Sequence, residues 1–525
     1  MVPPDTLTKQ TRDLLDAADF SQRIVEAYNE GTADRGLPAD IDVARSLIPA
    51  GTGALRDFSY IAPEFPAFDQ SRCVGCMECV TECPDTAILA KVVEEDLLES
   101  EIAKISNPQD KEFSRSRFAK TTKYYETPKK KGDKGGHFGL FVDPSKCKGC
   151  GECVEVCGEH QALSMISKND ENLGQYQRAF QLYEKLPETP AKYIQEKVLA
   201  DMMLAGRSLL FVGGAGSCMG CGEATTIRMM LAATGFLYGP ESVGIVAATG
   251  CNTVFSSTYP YNPFLVPWTN SLFENAAADA LGVRLRWDQA GLRDKKLWAP
   301  GGDGAMYDIG FQSLSRLLAS GLDINVLVLD TQVYSNTGGQ SSTSTFMGQD
   351  TKMSAHGKVQ KGKTEHRKEL AQIALMHPDT FVAQTTPAHI NHFYRAIMGA
   401  NEYNGPSLVV AYATCMPEHG VADNMASHQA KLAVDSRAFP LFIHDPRKGE
   451  RLSERLSLQG NPAQKDDWYK NPKTGEVIDF VYFARTEGRF MKQFDKNGNP
   501  SDMMLKAQEG RLRNWRRLQE LAGII

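Results

Sequence analysis

The chain has 525 residues, of which 42% are hydrophobic and 23% charged, a composition typical of a globular protein with about two to four domains. Its net charge of −6 argues against a nucleic-acid-binding protein. The apolar runs are far shorter than a membrane span, and the N-terminus has no charged-then-apolar signal pattern. We therefore expect a cytoplasmic protein that binds neither nucleic acid nor membrane, in which the twelve cysteines are metal ligands rather than disulfide partners.

Residues 1–60 are predicted to be an N-terminal extension, too short and too polar for a domain of their own. The stretch "TRDLLDAADFSQRIVEAYNE" within it predicts a helix over residues 11–30.

Residues 61–168 contain two cysteine runs with the same spacing, C-x2-C-x2-C-x3-C, which is the spacing of two-cluster bacterial ferredoxins. In such proteins the fourth cysteine of each run serves the other cluster. We therefore expect one [4Fe–4S] cluster on Cys73, Cys76, Cys79 and Cys157, and another on Cys147, Cys150, Cys153 and Cys83. The alternative is a pair of zinc sites, although zinc sites usually separate two cysteine pairs by a longer loop. Gly158 stands where the first run has Pro84, and we expect that change to remove a restraint on φ and nothing more.

A polar insertion is predicted over residues 94–140, between the two runs. Its basic part, "KTTKYYETPKKKGDKGG", is compatible with a docking patch for an acidic ferredoxin or with a solvated, mobile loop. Residues 169–206 predict a helical linker.

Residues 207–420 alternate between strand-like and helical patterns, which predicts a mainly parallel sheet covered by helices. The helical pattern is clearest in "YDIGFQSLSRLLASG", where Leu314, Leu317 and Leu318 share a face and Gly321 ends the helix. The strand-like runs are "SLLFVGG", "SVGIVAAT", "KKLWAPGGDG", "INVLVLD", "TFVAQTT" and "SLVVAYAT".

Four cysteines remain outside the two runs: Cys218, Cys221, Cys251 and Cys415. Cys251 and Cys415 follow apolar runs, so they are expected at the carboxyl ends of strands, where α/β sheets bind ligands. Four cysteines are enough for one more [4Fe–4S] cluster. The alternative is that they are buried and inert, as free cysteines often are.

Two further strand ends carry oxygen ligands. "GGDGAMYDIG" brings Asp303, and "LDTQVYSNTGGQ" brings Thr331 and the Val333 carbonyl, about one strand–helix–strand step later. These are hard ligands suited to Mg2+, and Gly302 and Gly304 would let the backbone approach a phosphate. The pattern predicts a site for a magnesium-bound diphosphate.

These stretches resemble the thiamine diphosphate domain of pyruvate:ferredoxin (flavodoxin) oxidoreductases, and "SCMGCGE", "ATGC" and "AYATC" resemble the family's segments for the cluster nearest thiamine. The resemblance covers roughly residues 45–450 and corresponds to the C-terminal half of the family's single-chain members. It implies an α/β thiamine diphosphate-binding fold over 207–420, with a mainly parallel sheet and the proximal [4Fe–4S] cluster. A small α+β ferredoxin-like domain with two [4Fe–4S] clusters would precede it.

The resemblance also implies roles for individual residues. Asp303, Thr331 and the Val333 carbonyl would hold Mg2+, Glu223 and Cys251 would approach the cofactor, and Asn336 and Glu223 would be catalytic. The segments implied to line the diphosphate and thiazolium consist of Gly302, Asp303, Gly304 and Ala305, and of Thr331, Gln332, Val333, Tyr334, Ser335 and Asn336. Ser217, His160 and His419 receive no role.

The implied activity is the oxidation of a 2-oxoacid with coenzyme A. The stretch "DTQVYSNTGGQ" resembles the pyruvate class of the family, so the implied products are acetyl-CoA and CO2. Three [4Fe–4S] clusters would pass the electrons to ferredoxin or flavodoxin. The family's further domains have no counterpart here, so we expect an oligomeric subunit whose partner chain supplies them; the initial Met and the N-terminal helix favour a subunit over a truncated product. Alternatives are an electron-transfer protein on a non-catalytic thiamine-fold scaffold and a non-redox thiamine decarboxylase with structural metal sites. Residues 421–525 form a C-terminal extension with a terminal helix, "LKAQEGRLRNWRRLQELAGII", and no motif.

Overall fold

The computed structural model describes residues 16–38, 43, 47–354 and 361–525. The predicted N-terminal helix is present as the turn α1 (Ala17–Asp19), the π-helical segment Phe20–Val25 and the turn α2 (Glu26–Asn29). The first part of that prediction, residues 11–15, lies outside the described residues. A further short helix follows at α3 (Ala33–Gly36).

The region of the two cysteine runs is built on two small antiparallel sheets. Its strands are β1 (Glu64–Phe68), β2 (Ile88–Glu94), β3 (Phe118–Ala119), β4 (Gly136–Val142) and β5 (Leu163–Ser167). β1 pairs with β5, and β2, β4 and β3 form a sheet in that order. Its helices are α4 (Glu78–Thr81), α5 (Glu95–Ala103), α6 (Pro108–Arg115), α7 (Thr127–Lys130), α8 (Glu152–Cys157) and α9 (Asp170–Lys185).

Eight strands among the described residues form the large sheet, in the order β13-β12-β10-β11-β9-β8-β6-β7. They are β6 (Val243–Ala248), β7 (Trp268–Ser271), β8 (Lys296–Gly302), β9 (Asn325–Asp330), β10 (Phe381–Thr385), β11 (Ser407–Tyr412), β12 (Phe442–His444) and β13 (Leu456–Ser457). The six strands from β10 to β7 are parallel, and β12 and β13 are antiparallel at one edge. The predicted mainly parallel α/β sheet is therefore confirmed. A separate hairpin pairs β14 (Tyr469–Lys470) with β15 (Val477–Ile478).

Helices cover both faces of this sheet, as βαβ connections require. One apolar layer contains the inner residues of α13, α14, α20 and α21, and the other those of α11 and α16. The helices from here to the C-terminus are α10 (Leu199–Met202), α11 (Gly222–Tyr238), α12 (Cys251–Ser256), α13 (Ala276–Gln289), α14 (Phe311–Leu318), α15 (Leu370–Ala374), α16 (Ile390–Glu402), α17 (Met416–His419), α18 (Ala426–Asp435), α19 (Leu452–Arg455), α20 (Phe480–Arg485) and α21 (Asp502–Leu521). The predicted terminal helix is thus present, and it docks through Trp515 and Leu518.

The structure differs from the predicted elements in two places. "SLLFVGG" is not a strand of the sheet, because Phe211 makes a single bridge to Phe264 and Gly213 and Gly214 then adopt positive φ values that end the pairing. β7, β12 and β13 were not predicted, because they are short strands of two to four residues at or next to the sheet edges.

The basic stretch is exposed over residues 129–134, as expected for a solvated loop, but its first part is packed against the sheet; its mobility stays a prediction. The segment contains a π-helical turn and α7, and the ring of Tyr124 is buried and stacks on Phe138 of β4. Within the predicted linker, α9 is helical but the chain from 186 to 198 largely is not. The domain boundaries themselves remain predictions. No helix within the described residues is long and apolar enough to cross a membrane.

Candidate active site and cluster sites

The three oxygen groups predicted to hold Mg2+ converge at the carboxyl ends of two neighbouring parallel strands. Asp303 directly follows β8 and Thr331 directly follows β9. The hydroxyl oxygen of Thr331 lies 3.1 Å from Oδ1 of Asp303 and 3.1 Å from the carbonyl oxygen of Val333. This is the donor set of a hard cation.

Asp303 is almost completely buried and is held by neutral donors. The hydroxyls of Ser342 and Ser344 both donate to its Oδ2. Burial and the neighbouring carboxylate of Asp330 raise the pKa of Asp303. Asp330 pairs with Arg367 at 2.7 Å, whereas Asp303 has no basic partner among the described residues. A divalent cation at this position would supply the missing positive charge, so the residues present fit Mg2+.

A cavity of about 230 Å³ opens in front of these oxygens. Most of the predicted cofactor residues line this cavity. Those that do are Glu223, Cys251, Gly302, Asp303, Gly304, Ala305, Thr331, Val333, Tyr334, Ser335 and Asn336. A side chain at Gly302 would meet no atom within 4 Å, so the backbone there is open to a ligand. Position 304 requires glycine for a different reason: a Cβ there would stand 2.7 Å from the Tyr334 ring.

Glu223 is the buried acid of this cavity. It lies near the N-terminus of α11, and its Oε2 has no hydrogen-bond partner among the residues that the structure describes. Burial, with the nearby charge of Asp303, raises the pKa of Glu223 to about 8. The side chain therefore keeps its proton near neutral pH and can donate a hydrogen bond to a polar group in the cavity.

Gln332 is the one predicted cofactor residue that does not line the cavity. Its φ of +57° is unusual for a residue with a side chain, and the side chain points into the protein, where Nη1 of Arg489 donates to its Oε1 at 3.0 Å. Such a conformation persists only where the surroundings hold it. The contact with Arg489 therefore fixes the turn that carries Thr331 and Val333 from the protein interior.

The residues behind this turn were not found from the sequence. Arg489 pairs with Glu487 at 2.6 Å, Tyr412 lies between them, and His419 contacts the Thr331 carbonyl at 2.9 Å. All four side chains are buried, and two of them come from the C-terminal extension. The sequence around Glu487 and Arg489, "ARTEGRFMK", carries other charges nearby and gave no signal of this role.

The four cysteines outside the two runs meet at a second cavity of about 210 Å³. Cys218 and Cys221 come from the loop before α11. Cys251 begins α12, just after β6, and Cys415 lies just after β11. The two cavities share walls formed by Glu223, Cys251, Thr331, Ser335 and Asn336. A group in the cysteine cavity would therefore be next to a group in the first cavity.

Three of these four thiols, those of Cys221, Cys251 and Cys415, are weak nucleophiles as free groups. Burial raises the pKa of Cys415 to about 12 and also raises those of Cys221 and Cys251. Thiolates are the metal ligands, so the positive charge of bound iron would have to displace the protons. The donor set fits a [4Fe–4S] cluster, and its role as a ligand set remains a prediction.

The two cysteine runs have the same backbone geometry. Gly75 and Met77 in the first run and Gly149 and Gly151 in the second, at equivalent positions, all have φ between +71° and +80°. After the last cysteine the runs diverge, because Gly158 has a φ of +48° that proline cannot adopt. The expectation that Gly158 only removes a restraint is therefore wrong.

The expected exchange of the fourth cysteines has geometric support. Cys157 lines a small cavity together with Cys73, Cys76 and Cys79. At the other site, burial and the nearby Cys83 thiol raise the pKa of Cys147 to about 12. All twelve cysteines are free.

Comparisons with known proteins agree with both parts of the chain. Residues 248–411 match the thiamine pyrophosphate enzyme, C-terminal TPP binding domain, and residues 65–88 and 141–163 match a 4Fe-4S binding domain. The second match covers both cysteine runs, so the zinc interpretation is wrong.

Several curated relatives match most of the chain. A probable pyruvate-flavodoxin oxidoreductase of Escherichia coli is 30% identical over 86% of this chain and 41% of its own length. The pyruvate-flavodoxin oxidoreductase of Rhodospirillum rubrum is 28% identical (97% and 45%), and the pyruvate:ferredoxin oxidoreductase of Moorella thermoacetica 26% identical (98% and 47%). This chain thus spans less than half the length of these relatives.

A solved structure of 2-oxoglutarate:ferredoxin oxidoreductase from Magnetococcus marinus shares 19% identity with a TM-score of 0.33, over 39% of this chain and 65% of that chain. The domain matches and the curated relatives together show that the chain is related to the pyruvate-flavodoxin and pyruvate:ferredoxin oxidoreductases and carries their thiamine pyrophosphate and 4Fe-4S binding domains.

Proposed function

We propose that this chain is the thiamine diphosphate and iron–sulfur part of a 2-oxoacid:ferredoxin or flavodoxin oxidoreductase. The proposed reaction converts pyruvate and coenzyme A to acetyl-CoA and CO2. The observation that carries the proposal is the pair of adjoining cavities, one with the Asp303 oxygen set and one with four cysteines, which share Glu223 and Cys251. An electron-transfer protein without catalysis would have no use for the first cavity.

The proposed cofactors are thiamine diphosphate, Mg2+ and three [4Fe–4S] clusters. When bound, thiamine diphosphate supplies an electron sink for decarboxylation, and each cluster accepts one electron. Asp303, Thr331 and the Val333 carbonyl would hold Mg2+, and the open backbone at Gly302 would admit the diphosphate.

Two side chains are proposed to act near the reacting centre. Glu223 would hold a proton on its buried carboxyl and present it to a polar group of the ligand. Asn336, which lines both cavities, would orient the substrate between the cofactor and the cysteines.

We also propose that another polypeptide segment, from a partner chain or a longer form of this protein, covers the mouth of the first cavity. Leu272 and Ile309 are more than half exposed beside it, next to the edge strand β7, and Val254 is similarly exposed beside the cysteine cavity. The incomplete span of the relatives supports the same proposal. The twelve free cysteines favour a reducing, cytoplasmic setting.

The first experiment is the iron and acid-labile sulfide content of the chain purified without oxygen. Three clusters require about twelve iron atoms per chain and two require about eight. About twelve iron atoms, together with Mg2+-dependent binding of thiamine diphosphate, would support the proposal; about eight would remove the third cluster from it. In an assay with pyruvate, coenzyme A and a viologen dye we expect little turnover from the chain alone, and full activity would contradict the need for a covering segment.

A further inference from the structure

One buried ion pair touches the cysteine segments of two different cluster sites. Lys148 lies between Cys147 and Cys150, and its Nζ is 2.7 Å from Oδ1 of Asp85, two residues after Cys83. Both side chains are at most 5% exposed. The pair therefore belongs to the site of Cys83, Cys147, Cys150 and Cys153.

The same ammonium group reaches the loop of the other site. Lys148 Nζ donates to the carbonyl oxygens of Ala215 and Ser217, at 2.9 and 2.8 Å, and to the Ser217 hydroxyl at 3.0 Å. Cys218 is the next residue. A single side chain thus links the backbone of one cluster site to the residue preceding a cysteine of the next.

The surroundings leave this contact little freedom. A Cβ on Gly213 would stand 2.5 Å from the Asp85 carbonyl oxygen, and one on Gly214 would stand 1.9 Å from that of Gly53. The loop that contains Gly213 and Gly214 is therefore tightly packed between the region of the two cysteine runs and the N-terminal extension. The Phe58 ring, itself buried, lies 5.0 Å from Lys148 Nζ and closes the junction.

We propose that Lys148 is a positioning residue that fixes the Cys218 loop against the Cys147 segment and so sets the separation of the two clusters, an inference that rests on the proposed function. The step it would serve is the transfer of one electron between bound clusters. The cluster held by Cys218, Cys221, Cys251 and Cys415 would be oxidised, and the one held by Cys83, Cys147, Cys150 and Cys153 would be reduced. The hydrogen bonds of Lys148 also form a short bonded route between the two sites.

The docking of the two regions does not depend on Lys148 alone. Arg228 of α11 donates to the carbonyl oxygens of Val80 and Thr81, and the Glu152 carboxylate accepts the backbone N–H groups of Ala426 and Ser427. Removal of Lys148 should therefore loosen the Cys218 loop without separating the regions.

The test uses the double variant Lys148→Met with Asp85→Asn, which removes the ion pair without leaving an unpaired buried charge. The matched control is Lys146→Met. Lys146 is equally buried and is adjacent to Cys147, but its Nζ donates to the Arg56 carbonyl and the Ser145 hydroxyl instead.

The readouts are iron content, the spin–spin coupling of the reduced clusters by electron paramagnetic resonance, and the rate of electron exchange after flash reduction. We expect about tenfold slower exchange and weaker coupling in the double variant, with the control like wild type. Loss of the third cluster in the double variant alone also supports the proposal, because it shows that Lys148 holds the Cys218 loop.

Unchanged coupling and exchange at full iron content, or equal effects in the control, would overturn the role of Lys148. About eight iron atoms in the wild-type chain would overturn the proposed third cluster, and the role of Lys148 with it. The two failures are therefore distinguishable by the iron content of the wild type.

Discussion

The two groups of cysteines are supported by different kinds of structure. The eight cysteines of the runs lie on short loops and the short helices that follow them, with left-handed residues at equivalent positions, beside two small antiparallel sheets. The other four come from three distant segments, and two of these segments follow strands of the large sheet. The first arrangement is specified by local spacing, whereas the second exists only when the whole α/β fold is in place.

The largest expected effect distinguishes the two arrangements by single cysteine substitutions. Cys415→Ser should lower the iron content from about twelve to about eight atoms, because only the strand-end site loses a ligand. Cys157→Ser should instead remove the cluster of Cys73, Cys76 and Cys79, although Cys157 belongs to the other run. Iron analysis and electron paramagnetic resonance of each variant measure this. If Cys157→Ser removes the cluster of its own run, the exchange of fourth cysteines is wrong.

A second large effect concerns the oxygen set beside the strand-end cysteines. Asp303→Asn should weaken Mg2+-dependent binding of thiamine diphosphate by about 100-fold, because a neutral amide cannot balance a divalent cation. The iron content should stay unchanged. Titration calorimetry measures the affinity, and Asp323→Asn is the control, since Asp323 is a half-buried acid that pairs with Lys296 before β9, at the opposite end of that strand. Equal losses in both variants would mean that the effect is on folding.

The different supports also explain what the sequence could predict. The two runs and the parallel sheet follow from spacing and from apolar runs such as "INVLVLD", because the required information is contiguous. Cys251, Cys415, Asp303 and Thr331 could be placed at one edge of the sheet because carboxyl ends of parallel strands meet there. The short strands β12 and β13 were missed because segments of two or three residues are too short to show a periodic pattern of apolar side chains.

The residues that act from behind the site could not be predicted. Arg489 and Glu487 are far along the chain from Gln332, and only tertiary packing brings them together. The same holds for Ser217, whose contact with Lys148 joins two regions. In the sequence, Arg489 and Glu487 do not differ from ordinary solvated charges, and Ser217 does not differ from an ordinary loop serine.

A smaller effect should follow from the support behind the metal turn. Arg489→Lys keeps a cation beside Glu487 but loses the planar group that reaches Gln332 and Tyr412 together. We expect about tenfold weaker Mg2+-dependent cofactor binding at unchanged iron content. The titration used for Asp303 measures it, and Arg485→Lys on α20 is the control. Normal cofactor binding in Arg489→Lys would show that the turn does not need this support.

The smallest expected effect tests whether the strand-end cysteine site depends on the stability of the large sheet. His392 on α16 is buried, its Nδ1 lies 2.9 Å from the Thr385 hydroxyl, and burial lowers its pKa from 6.5 to about 3. Below pH 6.5 the unfolded chain binds a proton that the folded chain does not, so its stabilising contribution is complete above that pH and falls as the pH decreases. At pH 5 the loss is about 2 kcal/mol.

His392→Asn, which keeps a hydrogen-bonding group near Thr385, should reduce this part of the acid sensitivity, while His428→Asn on the exposed side of α18 should not. Denaturant unfolding followed by circular dichroism at pH 7 and pH 5, without oxygen, measures the difference. The third cluster's signal should disappear with the sheet as the pH decreases, because its four cysteines are held together only by strands and loops of that fold. If that signal persists after the sheet has unfolded, the four cysteines are held by a local structure, and the contrast between the two groups of cysteines is wrong.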